Sequence, residues 1–266
     1  MATDKAQIGL IGLGYVGRYV YEQITSRPEL GLEVAFVHEL AAERLAGVPA
    51  EVVLPDIAAF GSRRPDLVVE MAHPSVTRQC GEMFLRETDY MPLSMTALAD
   101  EELQQRLLET ARRSGTRLFI PHGAVVGLEN IFEGRDLWEE VTMVMKKSPK
   151  NLDFSAAPQF KPAEITKPTV LYDGPTRGIC PLFPRNVNSH ATVALAGIGF
   201  DRTRSVLVAD PALEVSVIEL TARGKGVAMK IERSNPLKGV SGVFTLHSTL
   251  AAITRAKGTG GAMQIC

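Results

Sequence analysis

The segment QIGLIGLGYVGRYVYEQI, residues 7–24, restricts the possible folds more than any other part of the chain. It begins with a short apolar run typical of a buried strand, passes through a glycine-rich turn, and continues with apolar residues at helical spacing. A second apolar run, LEVAFVHE at 32–39, follows within the roughly thirty residues that a strand–helix–strand unit occupies. The pattern predicts the first unit of a dinucleotide-binding fold.

The glycines and the helix start have separate tasks in such a unit. Gly12 makes the tight turn, Gly14 lets the backbone approach a pyrophosphate, and Gly17 allows the helix to pack closely against the strand. Tyr15 and Val16 stand with Gly17 at the helix start, where backbone N–H groups and the helix dipole attract phosphate. These residues are therefore predicted to bind the cofactor.

Glu39 ends the second strand, 22 residues after Gly17. A carboxylate at that position accepts hydrogen bonds from the ribose hydroxyls and repels a 2′-phosphate. The cofactor is therefore predicted to be NAD or NADP, with NAD favoured. Arg44 follows closely enough to weaken this preference.

The remaining patterns predict two domains. Strand and helix patterns alternate up to residue 123, which is typical of a doubly wound parallel sheet, whereas later segments alternate with period two and indicate a largely antiparallel second sheet. We predict an α/β fold with a Rossmann domain, residues 1–122 plus 238–266, and a smaller α+β domain for substrate binding and dimerisation, residues 123–237. The expected strands are 66–73, 90–98, 116–123, 137–149, 202–211, 214–224 and 226–236; the expected helices are 75–86, 99–115, 186–199, capped by Asn186 or Asn188, and 239–258, packed on the first domain.

Composition excludes several classes of protein. The formal net charge of −1 argues against a nucleic-acid partner, and the Lys146–Lys150 run is expected to be a solvated loop. No run approaches the roughly 20 apolar residues of a membrane span, and the N-terminus does not look like a signal peptide. The three cysteines, Cys80, Cys180 and Cys266, lack metal-ligand spacing and have an odd count, so we expect no metal site, no disulfide framework and a cytoplasmic location.

Several longer stretches resemble one family, the L-aspartate dehydrogenases. The similar segments are LSMTALAD (93–100), FIPHGAVVGLENI (119–131), FPRNVNSHATVALAGIGFDRTRSVLVADP (183–211) and SNPLKGVSG (234–242). Three further segments look closest to the branch called aspartate dehydrogenase domain-containing protein: RRPDLVVEMAHP (63–74), VLYDGPTRGICPLFPRN (170–186) and the ending MQIC.

The resemblance implies both fold and activity. It implies a Rossmann domain joined to a smaller sheet domain, a homodimer, and NAD(P)-linked interconversion of L-aspartate with iminosuccinate, or with oxaloacetate plus ammonia. It also implies that Ala124 and Asn188 contact the cofactor, because they match the motif positions of the family.

One departure from the family affects the catalytic machinery. The family carries its active-site histidine in an Asn-Ile-His-Glu-like segment, and here Ser216 and Ile218 occupy the positions of that Asn and His. His122 and His190 are additions in segments that the family places around the nicotinamide. Amine oxidation needs a group that accepts a proton near neutral pH, which an imidazole supplies. We therefore predict His190 and His122 as the catalytic residues.

Other positions are predicted to contact the ligands. His73 follows a strand at the carboxyl edge of the first sheet, where cofactors bind. A dicarboxylate substrate needs cationic and polar partners, for which Arg185 is the first candidate and Arg177 the second, together with Asn186 and Ser216.

Two alternatives remain open because Ile218 cannot move a proton. In the first, the chain reduces a different imine, since Ser216 and Ile218 make that wall of the site less polar; in the second, it binds the cofactor without catalysis.

Overall fold

The computed structural model describes residues 5–238 and 241–258, which form two compact units. The first unit contains residues 5–94, 102–121 and 246–258, and the second contains 95–101, 122–238 and 241–245. The segment Met95–Glu101, which the sequence-based boundaries leave in the first domain, belongs here to the second unit. The MQIC ending with Cys266 lies outside the described residues.

Strands and helices alternate in the first half of the chain, and strands dominate the second half. The strands are β1 (Ala6–Ile11), β2 (Leu32–His38), β3 (Leu67–Glu70), β4 (Asp89–Pro92), β5 (Trp138–Lys147), β6 (Thr169–Pro175), β7 (Thr203–Ala209), β8 (Val215–Gly224), β9 (Val227–Lys238) and β10 (Ser241–Gly242). The α-helices are α1 (Tyr15–Ser26), α2 (Pro74–Leu85), α3 (Glu101–Ser114), α4 (Leu128–Glu133), α5 (Thr176–Ile179), α6 (Asn188–Ala196) and α7 (Val243–Lys257).

The first unit is built on a parallel sheet with strand order β2-β1-β3-β4. All four residues of β3 are buried, as expected for a strand covered on both faces. Helix α1 contributes Val20 and Ile24 to the core, and α7 contributes Leu250 and Ile253 to the same cluster. This arrangement is the predicted Rossmann-type fold, and α7 returns to the first unit as the sequence suggested.

Two sequence-based strands near the end of this unit are wrong in extent. The strand predicted over 90–98 ends at Pro92 and is followed by a 3-10 helix, Met95–Ala99. The segment 116–123 makes only an isolated bridge between Tyr90 and Leu118. It makes two backbone hydrogen bonds with β4, from Tyr90 N to the Arg117 carbonyl and from Phe119 N to the Tyr90 carbonyl. Pro121 has no N–H with which to extend this pairing.

The second unit is built on a mixed sheet with strand order β10-β9-β8-β5-β7-β6, in which the β5–β7 pair is parallel and the others are antiparallel. Along β8, buried and half-buried side chains alternate, so one face of the sheet is buried and the other is more open. Strand β6 is absent from the sequence-based list because its run is short and ends in Asp-Gly-Pro, which is typical of a turn.

The start of α6 does not use an asparagine cap, contrary to expectation. The N-cap is Val187, with no side-chain capping bond. The side chains of Asn186 and Asn188 instead bond to segments outside the helix, because each has a backbone N–H from another loop within reach.

Glu70 joins two loops at the carboxyl edge of the first sheet. It is fully buried at the end of β3, and its carboxylate accepts hydrogen bonds from Ala72 N (2.7 Å), Ser94 Oγ (2.9 Å) and Ser94 N (3.1 Å). Burial raises the pKa of Glu70 to about 7, although these hydrogen bonds oppose the change. The loops after β3 and β4 therefore share a carboxyl group that changes charge near neutral pH.

Replacement of Glu70 by Gln should alter the pH dependence of stability. An acid whose pKa is raised on folding, here from 4.5 to about 7, loses stabilisation as pH increases through that window. We expect the free energy of unfolding of the wild type to fall by about 3 kcal/mol relative to Glu70→Gln between those pH values. Urea titrations across this range measure the difference, with the exposed Glu22→Gln as the control. Parallel curves for wild type and Glu70→Gln would contradict the assignment.

Candidate dinucleotide and substrate sites

The glycine loop between β1 and α1 has the shape of a dinucleotide cradle. Gly12 has a positive φ of 88°, and a Cβ atom there would lie 2.8 Å from Ala72 Cβ. A Cβ atom on Gly17 would lie 2.0 Å from the Gly12 carbonyl oxygen, so only hydrogen fits. A Cβ atom on Gly14 would meet only an Arg44 guanidinium nitrogen, at 4.0 Å, so that side of the loop is open. Two glycines are needed by the loop itself and the third leaves space for a ligand, which fits a pyrophosphate.

The N-terminus of α1 is suited to an anion. Gly14 is its N-cap without a side-chain capping bond, and the first turn of this described helix contains no acidic residue. Tyr15 and Val16 are half-buried at this helix start, beside the buried Gly17. The helix dipole there is directed at the open side of the loop.

Glu39 is held at the edge of the same loop. Its carboxylate accepts Leu13 N at 2.7 Å and Ala41 N at 2.9 Å, and Arg44 lies 3.6 Å away. Partial burial alone would raise the pKa of Glu39, but the N–H groups of Ala41 and Leu13 and the charge of Arg44 outweigh it and keep the pKa below its ordinary value. Glu39 is therefore ionised at neutral pH and has lone pairs for ribose hydroxyls.

His73 caps the next helix of this unit. Its Nδ1 accepts a hydrogen bond from Ser75 N at 3.2 Å and lies 2.8 Å from Ser75 Oγ, at the start of α2. The ring is exposed at the carboxyl edge of the sheet. Its predicted contact with the cofactor stays a prediction.

In the second unit, His122 and Ala124 lie in a turn before α4. The His122 carbonyl accepts Val125 N at 2.9 Å, and His122 Nε2 lies 3.1 Å from Glu129 Oε1. Both His122 and Ala124 are half-buried. The carboxylate of Glu129 therefore orients the imidazole.

The asparagines before and at the start of α6 organise neighbouring loops. Asn186 is buried and accepts Asp153 N at 2.9 Å, whereas Asn188 Oδ1 accepts Thr96 N at 3.2 Å. Arg185 pairs with Asp153 at 3.0 Å, and its side chain is 52% exposed. Asn186 and Arg185 thus bond to other parts of the protein, and their contact with substrate stays a prediction.

Arg177, the second candidate for substrate binding, bonds to other residues of the second unit. It forms a two-pronged pair with Asp201, both bonds at 2.7 Å, and donates to the Ala99 carbonyl. This arrangement fixes the 95–101 segment to the second unit.

His190 is completely buried on α6. Its Nδ1 lies 2.9 Å from Ser205 Oγ, and its Nε2 has no hydrogen-bond partner among the described residues. Burial lowers the pKa of His190 to about 3, with a further contribution from the charge of Lys147. His190 is therefore neutral at physiological pH and offers one nitrogen to a ligand.

Ser216 and Ile218 face the same side of the second sheet. Ser216 is 1% exposed and its Oγ lacks a partner within the described part of the chain, while Ile218 is buried. On neighbouring strands Lys147 is 4% exposed, and Arg233 Nε is buried without a partner.

The sequence analysis did not identify Lys147 and Arg233 as candidate site residues. It was wrong about Lys147, which it assigned to a solvated loop. A signal was present in the alternation of β5: Met143, Met145 and Lys147 share one parity, and this parity points to the buried face.

Other kinds of site are not seen in the described residues. No group of three or more His, Cys, Asp or Glu side chains there is arranged to hold a metal ion. Cys80 is a free thiol, and the buried Cys180 thiol donates to the Thr176 carbonyl at 3.2 Å. No helix in residues 5–238 and 241–258 is long and apolar enough to cross a bilayer.

Two protein-family models match the chain, and they meet close to the boundary between the two structural units after residue 121. Residues 12–121 match the family described as homoserine dehydrogenase, NAD binding domain, and residues 133–256 match the one described as aspartate dehydrogenase, C-terminal.

Individual relatives match along nearly the full length. The aspartate dehydrogenase domain-containing protein of Xenopus tropicalis is 35% identical, covering 98% of this chain and 98% of the relative. The L-aspartate dehydrogenase of Cupriavidus taiwanensis is 31% identical, over 91% and 96% respectively. The crystal structure of aspartate dehydrogenase from Thermotoga maritima superposes with a TM-score of 0.71 at 22% identity, covering 94% of each chain, which shows a shared fold.

Alanine substitutions at Gly17 and Gly14 should separate loop packing from ligand approach. We expect Gly17→Ala to lose about 2 kcal/mol or more of stability, because its Cβ meets a backbone carbonyl. Gly14→Ala should stay within about 1 kcal/mol of wild type and yet bind NADH at least about tenfold more weakly. Thermal unfolding and calorimetry with NADH measure both effects. An unchanged NADH affinity in Gly14→Ala would exclude the pyrophosphate from this loop.

Proposed function

We propose that this chain, which belongs to the aspartate dehydrogenase family, is an NAD(P)-dependent oxidoreductase that interconverts L-aspartate with iminosuccinate, the imine of oxaloacetate. The observation that carries the proposal is the match of residues 133–256 to the aspartate dehydrogenase C-terminal family. Dinucleotide-binding domains serve many chemistries, so the second unit is the more informative about substrate.

NAD is the proposed cofactor in preference to NADP. The ionised Glu39 beside the loop favours ribose hydroxyls and disfavours a 2′-phosphate. Arg44, at 3.6 Å from that carboxylate, moderates the preference without reversing it, because Glu39 already offsets its charge. When bound, the nicotinamide would exchange a hydride with the substrate Cα.

The two histidines have different proposed tasks. His122, half-buried and paired with Glu129, accepts the amine proton. His190 stays neutral and holds a substrate group through Nε2, since its pKa of about 3 prevents it from carrying a proton at neutral pH. Ala124, Asn188 and His73 are proposed to contact the cofactor.

A homodimer is proposed through the more open face of the second sheet. Val144, Val206, Val208 and Val217 are half-buried on that face beside the ion pairs of Glu219 with Lys146 and Lys230, and a surface of apolar side chains and paired charges suits association with a second copy. The free thiol of Cys80 agrees with a proposed cytoplasmic location.

A second candidate function follows from Ile218. Because Ile218 is buried at the position where the family carries its histidine, the chain either reduces a less polar imine or binds cofactor without turnover. Turnover of L-aspartate separates the candidates.

The activity test uses purified protein with NAD and L-aspartate, and with NADH, oxaloacetate and ammonium in the reverse direction. We expect turnover in both directions, slower with NADP, and a loss of about a hundredfold or more in kcat for His122→Asn. The absorbance of the reduced nicotinamide measures the rate. NADH binding without turnover of any amino acid would instead support the non-catalytic alternative.

The dimer test uses Val206→Arg, with the exposed Leu40→Arg as control. A bulky charged side chain in a closely packed interface disfavours association, so light scattering should give a mass near the chain mass of 28.8 kDa for Val206→Arg and twice that for wild type and control. A wild-type monomer, or a dimeric Val206→Arg, would reject this interface.

A further inference from the structure

Unpaired buried polar atoms are concentrated in the second unit. Among the described residues, buried side-chain atoms without a partner are His190 Nε2, Ser216 Oγ, Arg233 Nε and Thr203 Oγ1. Each such atom costs about 1–3 kcal/mol, and folded proteins leave few of them. A group of them suggests that something outside the chain completes their hydrogen bonds.

The register of the sheet brings two of these atoms, Ser216 Oγ and Arg233 Nε, to one face. Ser216 stands opposite Asn235, and Ile218 stands opposite Arg233 on β9 and Met145 on β5. Residues opposite each other share a face, and Lys147 follows Met145 by two positions, so it has the same orientation.

His190 covers this face from α6. Met143 pairs with Ser205 on β7, so Ser205 shares the face of Met145 and Lys147. The hydrogen bond between Ser205 Oγ and His190 Nδ1 therefore attaches the imidazole to the same side of the sheet.

The face carries two cationic side chains, Lys147 and Arg233. Within the described chain the buried acidic residues, Glu70 and Asp89, both belong to the first unit. Arg233 donates to the neutral Asn235 Oδ1, and Glu219 pairs with Lys146 and Lys230, whose parity places them on the opposite face. Burial, with a smaller effect from the charge of Arg233, lowers the pKa of Lys147 to about 8, so Lys147 is mainly protonated at neutral pH.

We propose that Lys147 and Arg233, with Ser216 and the Nε2 of His190, form the site that receives the two carboxylates of a four-carbon dicarboxylate. The proposal rests on the proposed function and assigns its substrate contacts to these residues in place of Arg185. Two cations match two carboxylates, whereas a monocarboxylate would engage only one of them. Ile218, opposite Arg233 and two positions from Ser216, supplies an apolar surface for the methylene carbons.

Succinate is the probe, because it has both carboxylates and no amine to oxidise. Calorimetry on the full chain, with and without NADH, compares wild type with Lys147→Met, Arg233→Gln and Ser216→Ala. We expect at least about a tenfold loss of succinate affinity for the two charge variants and several-fold for Ser216→Ala, with unchanged NADH affinity. Propionate should bind much more weakly than succinate.

Lys146→Met is the matched control, since Lys146 is the adjacent residue of β5 on the opposite face. It should bind succinate like wild type. Ser216→Ala removes only an unpaired hydroxyl and is expected to fold, so it tests the site even if a charge variant does not.

Three results would overturn the proposal: no succinate binding by wild type, wild-type affinity in Lys147→Met, Arg233→Gln and Ser216→Ala, or equal losses in Lys146→Met. Succinate binding that depends on these residues, without turnover of L-aspartate, would support the site and reject the proposed function. Turnover whose KM is unchanged in the variants would support the function and reject the site.

Discussion

The approach of Gly17 to the Gly12 carbonyl is the contact on which the first unit depends. A Cβ atom at Gly17 would lie 2.0 Å from that oxygen, so the start of α1 can lie against the loop only with hydrogen there. This contact directs the helix N-terminus at the open side of the loop, beside the ionised Glu39. Glu70 then joins the loops after β3 and β4 at the same edge of the sheet. Packing and electrostatics therefore act together to prepare a site for an anionic dinucleotide.

The second unit contains buried cationic and unpaired polar groups, which lower the stability of the fold and which packing alone does not explain. Replacing a buried cation with an apolar side chain is often neutral or stabilising, yet Lys147 and Arg233 share one face with an unpaired Ser216 hydroxyl. Residues retained against stability are typical of functional sites. The same face contains Ile218, at the position where the family resemblance places a histidine, and the polar groups around it suit carboxylates better than proton transfer.

Local signals predicted the first unit well because its pattern is local. The β1–α1–β2 segment has a strand period, a glycine turn and a helical period in sequence, and each agrees with the others. The end of the sheet was harder, since 116–123 has apolar residues but makes ladder bonds only around Tyr90. Lys147 was misread because a run of lysines looks solvated, and only the register of β5 shows which lysine points inward. The hydrogen bond from Asp153 N to the Asn186 side chain joins residues 33 positions apart, and no local sequence pattern indicates it.

The most direct test is a crystal structure of the chain with NADH and succinate bound together. We expect the pyrophosphate against Gly14 and the start of α1, and the succinate carboxylates within hydrogen-bond distance of Lys147, Arg233 and Ser216. Succinate held instead by Arg185, or a dinucleotide bound away from the glycine loop, would contradict this expectation.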